Sequence, residues 1–271
     1  MALSIGTVGF VGGGQMAEAL VRGILAAGLT ARENIMIAEP NASRCEYLQN
    51  EYGVTCTQSA ESLCRACRVL VVAIKPQVAK QVLNTYRSFI TSEHLVISIM
   101  AGIPLQVLAE YLAKSVRLIR VMPNTPALVL AAASAFSPNP QATTEDREVA
   151  TAIFSAVGTC VEVTENLLDA VTGLSGSGPG YVFTFIEALI DGGVLAGLPR
   201  PIAEQLVLQT VCGSAQLALQ TGEPPAVLKG KVTSPGGTTI AGLQVLENGA
   251  FRGVVMGAVE AATLRSKELG A

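Results

Sequence analysis

The chain has 271 residues, half of them hydrophobic and 14% charged, and a formal net charge of -3. This length suits one large or two ordinary domains, and the acidic balance excludes the basic footprint of a nucleic-acid-binding protein. The longest uncharged window, Val121 to Thr144, is interrupted by four prolines and does not predict a membrane span. We therefore expect a cytoplasmic protein with no nucleic-acid or membrane partner, which binds small molecules and further copies of itself.

The segment from Thr7 to Leu20, TVGFVGGGQMAEAL, passes from an apolar run through three glycines into an amphipathic pattern. That order predicts a strand, a tight turn and a helix. Gly12, Gly14 and Ala17 fit the small-residue positions of the dinucleotide-binding fingerprint. A helix that begins after such a turn presents backbone N–H groups and its positive dipole end to phosphates. We interpret the segment as a pyrophosphate site, against the alternative of a flexible glycine loop.

Further strands are predicted, with helical segments between them, at Asn34 to Ala38, Val69 to Ile74, His94 to Met100 and Arg117 to Val121. Each strand runs into small or polar residues. Because the carboxyl ends of parallel strands meet at one edge of a sheet, these loops would build a ligand cleft. Residues 1–164 are therefore predicted to be an α/β dinucleotide-binding domain, with a Rossmann-like, doubly wound sheet.

Glu39 follows the second predicted strand. An acidic residue at this position can accept hydrogen bonds from the ribose hydroxyls of NADH and would repel the 2′-phosphate of NADPH. Arg44, however, is close enough in sequence to bind such a phosphate. Lys75, after the third predicted strand, would lie at the ligand edge of the sheet. The choice between the two cofactors is open on these residues.

Strand patterns stop at about Glu165, and helical patterns follow at Leu167 to Thr172, Val182 to Leu195, Pro201 to Leu219 and Ile240 to Leu269. The third of these has no charged residue after Glu204, so it must be covered on every side. We expect residues 165–271 to form an all-α C-terminal domain for dimerisation and substrate binding, in which the helices wrap around those of a second subunit.

The segment from Lys231 to Gly242, KVTSPGGTTIAG, combines a Pro-Gly-Gly turn with several hydroxyl side chains before a helix expected to begin near Thr238. Hydroxyls and backbone N–H groups at a helix start can hold a carboxylate without an arginine. The alternative is an ordinary helix start capped by Thr238 or Thr239.

Acid–base groups are sparse, since His94 is the single histidine and is expected to be exposed where a strand begins. Alcohol dehydrogenation would need a base, whereas a cyclic imine, partly protonated in water, accepts hydride without one. No metal site is predicted. Of the six cysteines only Cys64 and Cys67 are closely spaced, and a structural zinc site would need a second pair.

The whole chain resembles the pyrroline-5-carboxylate reductases, enzymes that reduce 1-pyrroline-5-carboxylate to L-proline with NADPH or NADH. The motifs that carry the resemblance are GFVGGGQMA, AIKP, MPNTP, TGLSGSGP and TSPGGTTIAGLQVLE. The resemblance implies hydride transfer from NAD(P)H in the last step of proline biosynthesis. It also implies a homodimer, intertwined through the C-terminal helices, that assembles further into a decamer.

The resemblance implies site residues as well. The dinucleotide would be bound by Val11, Gly12, Gly13, Gly14, Gln15, Met16, Glu39, Ala73, Lys75, Pro76, Ile99, Met100 and Ala101, with Asn124 near the nicotinamide. Ser234, Gly237, Thr238 and Thr239 would hold the substrate, and the catalytic residue, Thr239, would hydrogen-bond the imine nitrogen. Related sequences often carry a neutral residue where this chain has Glu39, which again leaves the cofactor preference open.

Two other functions are considered. Enzymes of the β-hydroxyacid dehydrogenase type share this architecture, but they place a catalytic lysine at the position that Val182 occupies here. A nucleotide-sensing dimer without turnover is the second alternative. The turn from Ser234 to Thr239 argues against it, because a sensor of this kind has no use for a second ligand site.

Overall fold

The computed structural model describes residues 5–112 and 116–270. They divide into two compact units, one that runs to Ser177 and resumes at Glu260, and one formed by Gly178–Val259. The boundary predicted between residues 164 and 165 separates a dinucleotide-binding domain from a dimerisation and substrate-binding domain. This division by role stays a prediction.

The described part of the first unit contains one eight-stranded sheet in the order β3-β2-β1-β4-β5-β6-β7-β8. The strands are β1 Val8–Val11, β2 Ile35–Ala38, β3 Thr55–Thr57, β4 Val69–Val72, β5 Leu95–Ser98, β6 Arg117–Met122, β7 Ala132–Pro138 and β8 Gly158–Glu162. Strands β1 to β6 are parallel, β7 is antiparallel to β6, and β8 is parallel to β7. The chain leaves β1 toward β2 and returns to its other side with β4, which creates a topological switch point between β1 and β4.

Helices cover both faces of this sheet. Those of the first unit are α1 Gln15–Ala26, α2 Ala42–Tyr52, α3 Ala60–Ala66, α4 Ala79–Tyr86, α5 Leu105–Tyr111, α6 Thr144–Ser155 and α7 Leu168–Val171. Side chains alternate along each strand, so that Val8 and Phe10 join a buried cluster with α1 and α6, whereas Val11 joins another with α3, α4 and α5. Strands β1 and β4 are apolar throughout because both of their faces are buried. The predicted doubly wound α/β fold is confirmed.

The second unit is helical. Its helices are α8 Gly178–Leu195, α9 Arg200–Thr221, α10 Pro225–Lys231, α11 Thr238–Asn248 and the first part of α12 Phe251–Gly270. The single pattern predicted from Ile240 to Leu269 is wrong, because Gly249 ends α11 and Ala250 adopts a φ of +52° before α12 begins. The all-α character predicted for this part of the chain is confirmed.

Large apolar side chains lie on the surface of the second unit. Leu195 is 91% exposed, Leu219 is 81% exposed and Met256 is 71% exposed in the single chain. Exposed apolar surface on this scale is typical of helices that pack against another subunit. Among the helices of residues 5–112 and 116–270, none combines the length and apolar character that crossing a membrane requires.

Candidate active site

The glycine turn joins β1 to α1 at the switch point. Gly12 has a φ of +97°, and a Cβ added there would lie 2.7 Å from the carbonyl oxygen of Ala73, so only glycine fits between β1 and β4. Gly14 caps α1 in an extended conformation without a side-chain cap, and a Cβ added to it would meet no atom within 4 Å. Glycine is therefore needed at position 12 for packing within the protein. At position 14 the absence of a side chain leaves open space beside the helix N-terminus.

Two cavities extend along this edge of the sheet. The first, which we call the Asn124 cavity, has a volume of about 410 Å³ and is lined by Gly14, Gln15, Met16, Ala73, Ile74, Lys75, Pro76, Ile99, Met100, Ala101, Met122, Pro123, Asn124, Thr125 and Gly176. The second, the Glu39 cavity, has a volume of about 820 Å³ and is lined by Val11, Gly12, Gly14, Ala38, Glu39, Pro40, Gln58, Ala73, Ile74, Lys75, Val78, Gln81, Val82, Thr85 and Tyr86.

The cavities adjoin at the residues that line both of them, namely Gly14, Ala73, Ile74 and Lys75. A ligand that extends through both cavities would place its middle there. The start of α1 and the Lys75 ammonium favour anionic groups at that point. The pair of cavities therefore suits an elongated ligand with anionic groups near its centre.

All residues predicted to bind the dinucleotide line one or both cavities, with the exception of Gly13. Gly13 instead donates its backbone N–H to Oε2 of Glu39 at 2.8 Å. Contact of these residues with a dinucleotide stays a prediction. Gln58, Thr85 and Tyr86 also line the Glu39 cavity but lie in no motif, so the sequence does not indicate them. Met122 and Thr125 line the Asn124 cavity and belong to the motif MPNTP together with Asn124, so the sequence does indicate them.

Glu39 is held by the turn that it faces. Its Oε2 accepts from the N–H of Gly13, and its Oε1 accepts from the N–H of Asn41 at 3.0 Å. The carboxylate is therefore fixed at the end of β2, where it lines the larger cavity.

Arg44 is held by two groups on α1 and in the turn before it. Its Nε donates to the carbonyl oxygen of Gly13 at 2.6 Å, and its guanidinium forms an ion pair with Glu18. Tyr52 and Tyr47 also donate to Glu18, at 2.8 Å and 3.0 Å. Burial opposes ionisation of Glu18, but the hydrogen bonds from Arg44, Tyr52 and Tyr47 outweigh it, so the pKa of this carboxyl is lowered.

Asn124, in the loop after β6, joins the start of β7 to the turn after α7 beside its cavity. Its Nδ2 donates to the carbonyl oxygen of Ser175 at 3.0 Å, and its Oδ1 accepts from the N–H of Ala133 at 3.0 Å. Ser175 lies in a π-helical turn, Thr172–Gly176, that continues from α7. Turns of this type are frequent at functional sites. Both ends of the Asn124 amide are thus used to position the cavity wall.

The predicted substrate turn lies in the second unit. Gly237 is the N-cap of α11 and makes no side-chain cap bond, and its N–H donates to the carbonyl oxygen of Ser234 at 3.1 Å. The alternative of an ordinary start capped by Thr238 or Thr239 does not hold. Within the described residues, the hydroxyls of Ser234, Thr238 and Thr239 form no hydrogen bond with protein groups, so they are available to a ligand.

His94 is buried and not exposed as expected, with 6% of its surface accessible. One ring nitrogen, Nε2, lies 2.9 Å from the carbonyl oxygen of Cys64, and Nδ1 accepts from the N–H of Thr91 at 3.1 Å. Nε2 therefore joins α3 to the start of β5, and Nδ1 closes the turn that precedes this strand. A third cavity of about 770 Å³, between α5 and the segments after β7 and β8, contains none of the predicted site residues.

Two family profiles match the chain. The profile "Pyrroline-5-carboxylate reductase dimerisation" matches residues 165–269. The profile "NADP oxidoreductase coenzyme F420-dependent" matches residues 7–102. The first match includes the turn at Gly237, and the second includes the glycine turn, Glu39 and Lys75.

Proteins named as reductases are similar over almost the whole chain. A Synechocystis protein named pyrroline-5-carboxylate reductase is 50% identical over 263 residues, which are 97% of this chain and 98% of that protein. A pyrroline-5-carboxylate reductase structure from Coxiella burnetii matches with a TM-score of 0.94 at 34% identity, covering 99% of this chain and 100% of that chain. A Plasmodium falciparum pyrroline carboxylate reductase structure with NADP bound matches with a TM-score of 0.89 at 37% identity, covering 99% and 100% of the two chains.

Proposed function

The chain belongs to the pyrroline-5-carboxylate reductase family, and from that membership we propose how its own residues serve the reaction. It reduces 1-pyrroline-5-carboxylate to L-proline by hydride transfer from NAD(P)H, the last step of proline biosynthesis. The observation that carries this function is the 50% identity to a reductase over 97% of the chain. In the structure, the two adjoining cavities at the switch point of the sheet provide the space that a dinucleotide cofactor would need for this reaction.

The Asn124 and Glu39 cavities together bind NAD(P)H in this proposal. The glycine turn would hold the pyrophosphate, because Gly14 leaves open space there and the first N–H groups of α1 have no side-chain cap. Lys75 adds a positive charge at the junction of the cavities. Residues of the Glu39 cavity would hold the adenosine half, and residues of the Asn124 cavity would hold the nicotinamide. When bound, the cofactor supplies hydride from C4 of its reduced ring.

Asn124 acts by positioning. Because its amide bonds to Ser175 and Ala133, it holds the π-helical turn and the start of β7 at a fixed separation from the loop after β6. A preorganised wall keeps the reacting ring in one orientation, and orientation is a large part of the rate enhancement when no strong acid or base takes part.

The turn from Ser234 to Thr239 binds the substrate. Its hydroxyls and the N–H groups at the start of α11 accommodate the carboxylate, because Gly237 leaves those groups without a side-chain cap. The Thr239 hydroxyl hydrogen-bonds the imine nitrogen and aligns the imine carbon. The carbon gains the hydride, and the nitrogen gains its proton from water. His94 takes no part, because both its ring nitrogens are used within the fold.

The helical part of the chain is a dimerisation domain. We propose that its exposed apolar residues, such as Leu195, Leu219 and Met256, form the dimer contact and that dimers assemble into a decamer. Sedimentation velocity would show a species of ten chains, and a stable dimer alone would refute the larger assembly.

A cytoplasmic location is proposed on the basis of the six free cysteines, because thiols remain reduced in that compartment.

The activity is tested by mixing purified protein, 1-pyrroline-5-carboxylate and either NADH or NADPH. We expect loss of absorbance at the reduced-nicotinamide band with at least one cofactor and formation of an equal amount of proline, measured by mass spectrometry. No absorbance loss with either cofactor would overturn the proposed function. The dehydrogenase and sensor alternatives lose their support, since the relatives that match the full chain are named as reductases.

A further inference from the structure

The charged residues that line the Glu39 cavity bear on which of the two cofactors it would favour. Its charged lining residues are Glu39 and Lys75. Lys75 also lines the Asn124 cavity, which puts it at the junction and near the pyrophosphate position. In the part of the cavity away from that junction, the fixed charge is therefore the carboxylate of Glu39.

The backbone donors nearest to Glu39 are already used. The N–H groups of Gly13 and Asn41 each donate to one oxygen of the carboxylate, at 2.8 Å and 3.0 Å. A 2′-phosphate needs such donors or a cation, and it would meet a carboxylate in their place. A ribose hydroxyl, by contrast, can donate to the lone pairs that remain on the same carboxylate oxygens.

Arg44 is the cation that could reverse this preference, and it is bound elsewhere. Glu18 pairs with its guanidinium, Gly13 accepts from its Nε, and the guanidinium carbon lies 5.0 Å from the ring centroid of Tyr47. Tyr47 and Tyr52 fix Glu18 in turn by donating to its Oε1. Glu18 therefore compensates the charge of Arg44 and keeps its donors away from a ligand.

We propose that this enzyme prefers NADH over NADPH, with Glu39 as the direct determinant and Glu18 as a positioning residue that keeps Arg44 from binding a 2′-phosphate. The proposal rests on the proposed function, in that it assumes a dinucleotide in the two cavities. It adds a second determinant of specificity, because removal of Glu18 should change the cofactor preference by releasing Arg44, although Glu18 does not itself line the Glu39 cavity.

The test measures binding of ADP-ribose and 2′-phospho-ADP-ribose to the full-length protein by calorimetry. Wild type should bind ADP-ribose ~10-fold tighter or more, since hydrogen bonds to a charged group are the strong ones. Glu39→Ser should shift the affinity ratio by ~10-fold or more toward the phosphorylated ligand. Glu18→Gln should shift it the same way by about 3-fold to 10-fold, because Arg44 is released.

Two control variants test whether Glu18 acts on the affinity ratio through Arg44. Adding Arg44→Ala to Glu18→Gln should return the ratio to the wild-type value, and Glu33→Gln, at an exposed glutamate paired with Arg32, should not change it. Equal or tighter wild-type binding of the phosphorylated ligand, or no binding of either ligand, would overturn the proposal. A Glu18→Gln ratio equal to wild type in a folded protein would overturn the role of Glu18.

These ligands carry no nicotinamide, and the measurement needs no turnover. A protein that discriminates between them but does not reduce 1-pyrroline-5-carboxylate would refute the proposed function alone. A protein that reduces the substrate but binds both ligands equally would refute the cofactor preference alone.

Discussion

Gly12 and Gly14 lie two residues apart in one turn, yet substitution of Gly12 should lower mainly the stability of the fold, whereas substitution of Gly14 should lower mainly the affinity for the cofactor. At Gly12, alanine would take an unfavourable φ of +97° and place its Cβ 2.7 Å from the oxygen of Ala73 and 2.9 Å from Cγ2 of Ile74. The backbone conformation costs about 1–2 kcal/mol and crowding adds about 1–3 kcal/mol, so we expect Gly12→Ala to lower the free energy of unfolding by about 2–5 kcal/mol. That corresponds to a Tm lower by roughly 5–15 °C.

Gly14→Ala is the matched variant, because Gly14 has an ordinary φ of -68° and open space around its Cβ position. It should cost at most about 1 kcal/mol through the weaker N-cap. The added methyl group, however, projects where the pyrophosphate is proposed to lie, so Kd for NADH should rise ~10-fold or more.

Thermal unfolding monitored by circular dichroism gives the first quantity, and calorimetric titration with NADH gives the second. The reasoning would be refuted if Gly12→Ala melted at the wild-type temperature. It would equally fail if Gly14→Ala bound NADH with wild-type affinity.

Three further outcomes are expected. Thr239→Val should lower kcat/KM ~10-fold or more with an unchanged Tm, and an unchanged rate would remove the proposed hydrogen bond to the imine nitrogen. Asn124→Leu should lower the free energy of unfolding by about 2–4 kcal/mol, since it leaves the carbonyl of Ser175 and the N–H of Ala133 without partners; a wild-type Tm would contradict this. Glu18 has a lowered pKa in the folded state, so its contribution to stability is present at neutral pH and is lost as pH falls below about 4. The difference in unfolding free energy between wild type and Glu18→Gln should shrink over that range, and a pH-independent difference would exclude the role given to its charge.

Strands β1, β2 and β4 could be predicted because they are largely buried and read as apolar runs, whereas the parallel edge strand β3, Thr55–Thr57, is short, polar and partly exposed and was not predicted. Strand β4, VLVV, is one such run, and it ends directly before AIKP. Strands β7 and β8 gave no such pattern, because Ser134, Ser137 and Thr159 interrupt them and β8 forms the edge of the sheet. Helix α6 could have been found from its capping box at Thr143 and Asp146.

Some residues of the candidate site could likewise be predicted from the sequence, and others could not. Motifs indicate Gly12, Gly14 and Lys75 because each residue acts through its own backbone or its place after a strand. The partner of Arg44 could not be predicted, since it depends on how α2 packs against α1. His94 was misjudged for a similar reason, because the carbonyl of Cys64 that it contacts belongs to a helix distant in sequence.

The hydrogen bond between the N–H of Gly13 and Glu39 joins two groups of the protein itself. The fold therefore sets the shape of the turn, and little conformational entropy is left to be lost there when a ligand arrives. Binding of the dinucleotide at the Glu39 cavity should therefore resemble the docking of rigid bodies. Its rate should then be governed by diffusion and orientation, with no slow phase from loop ordering.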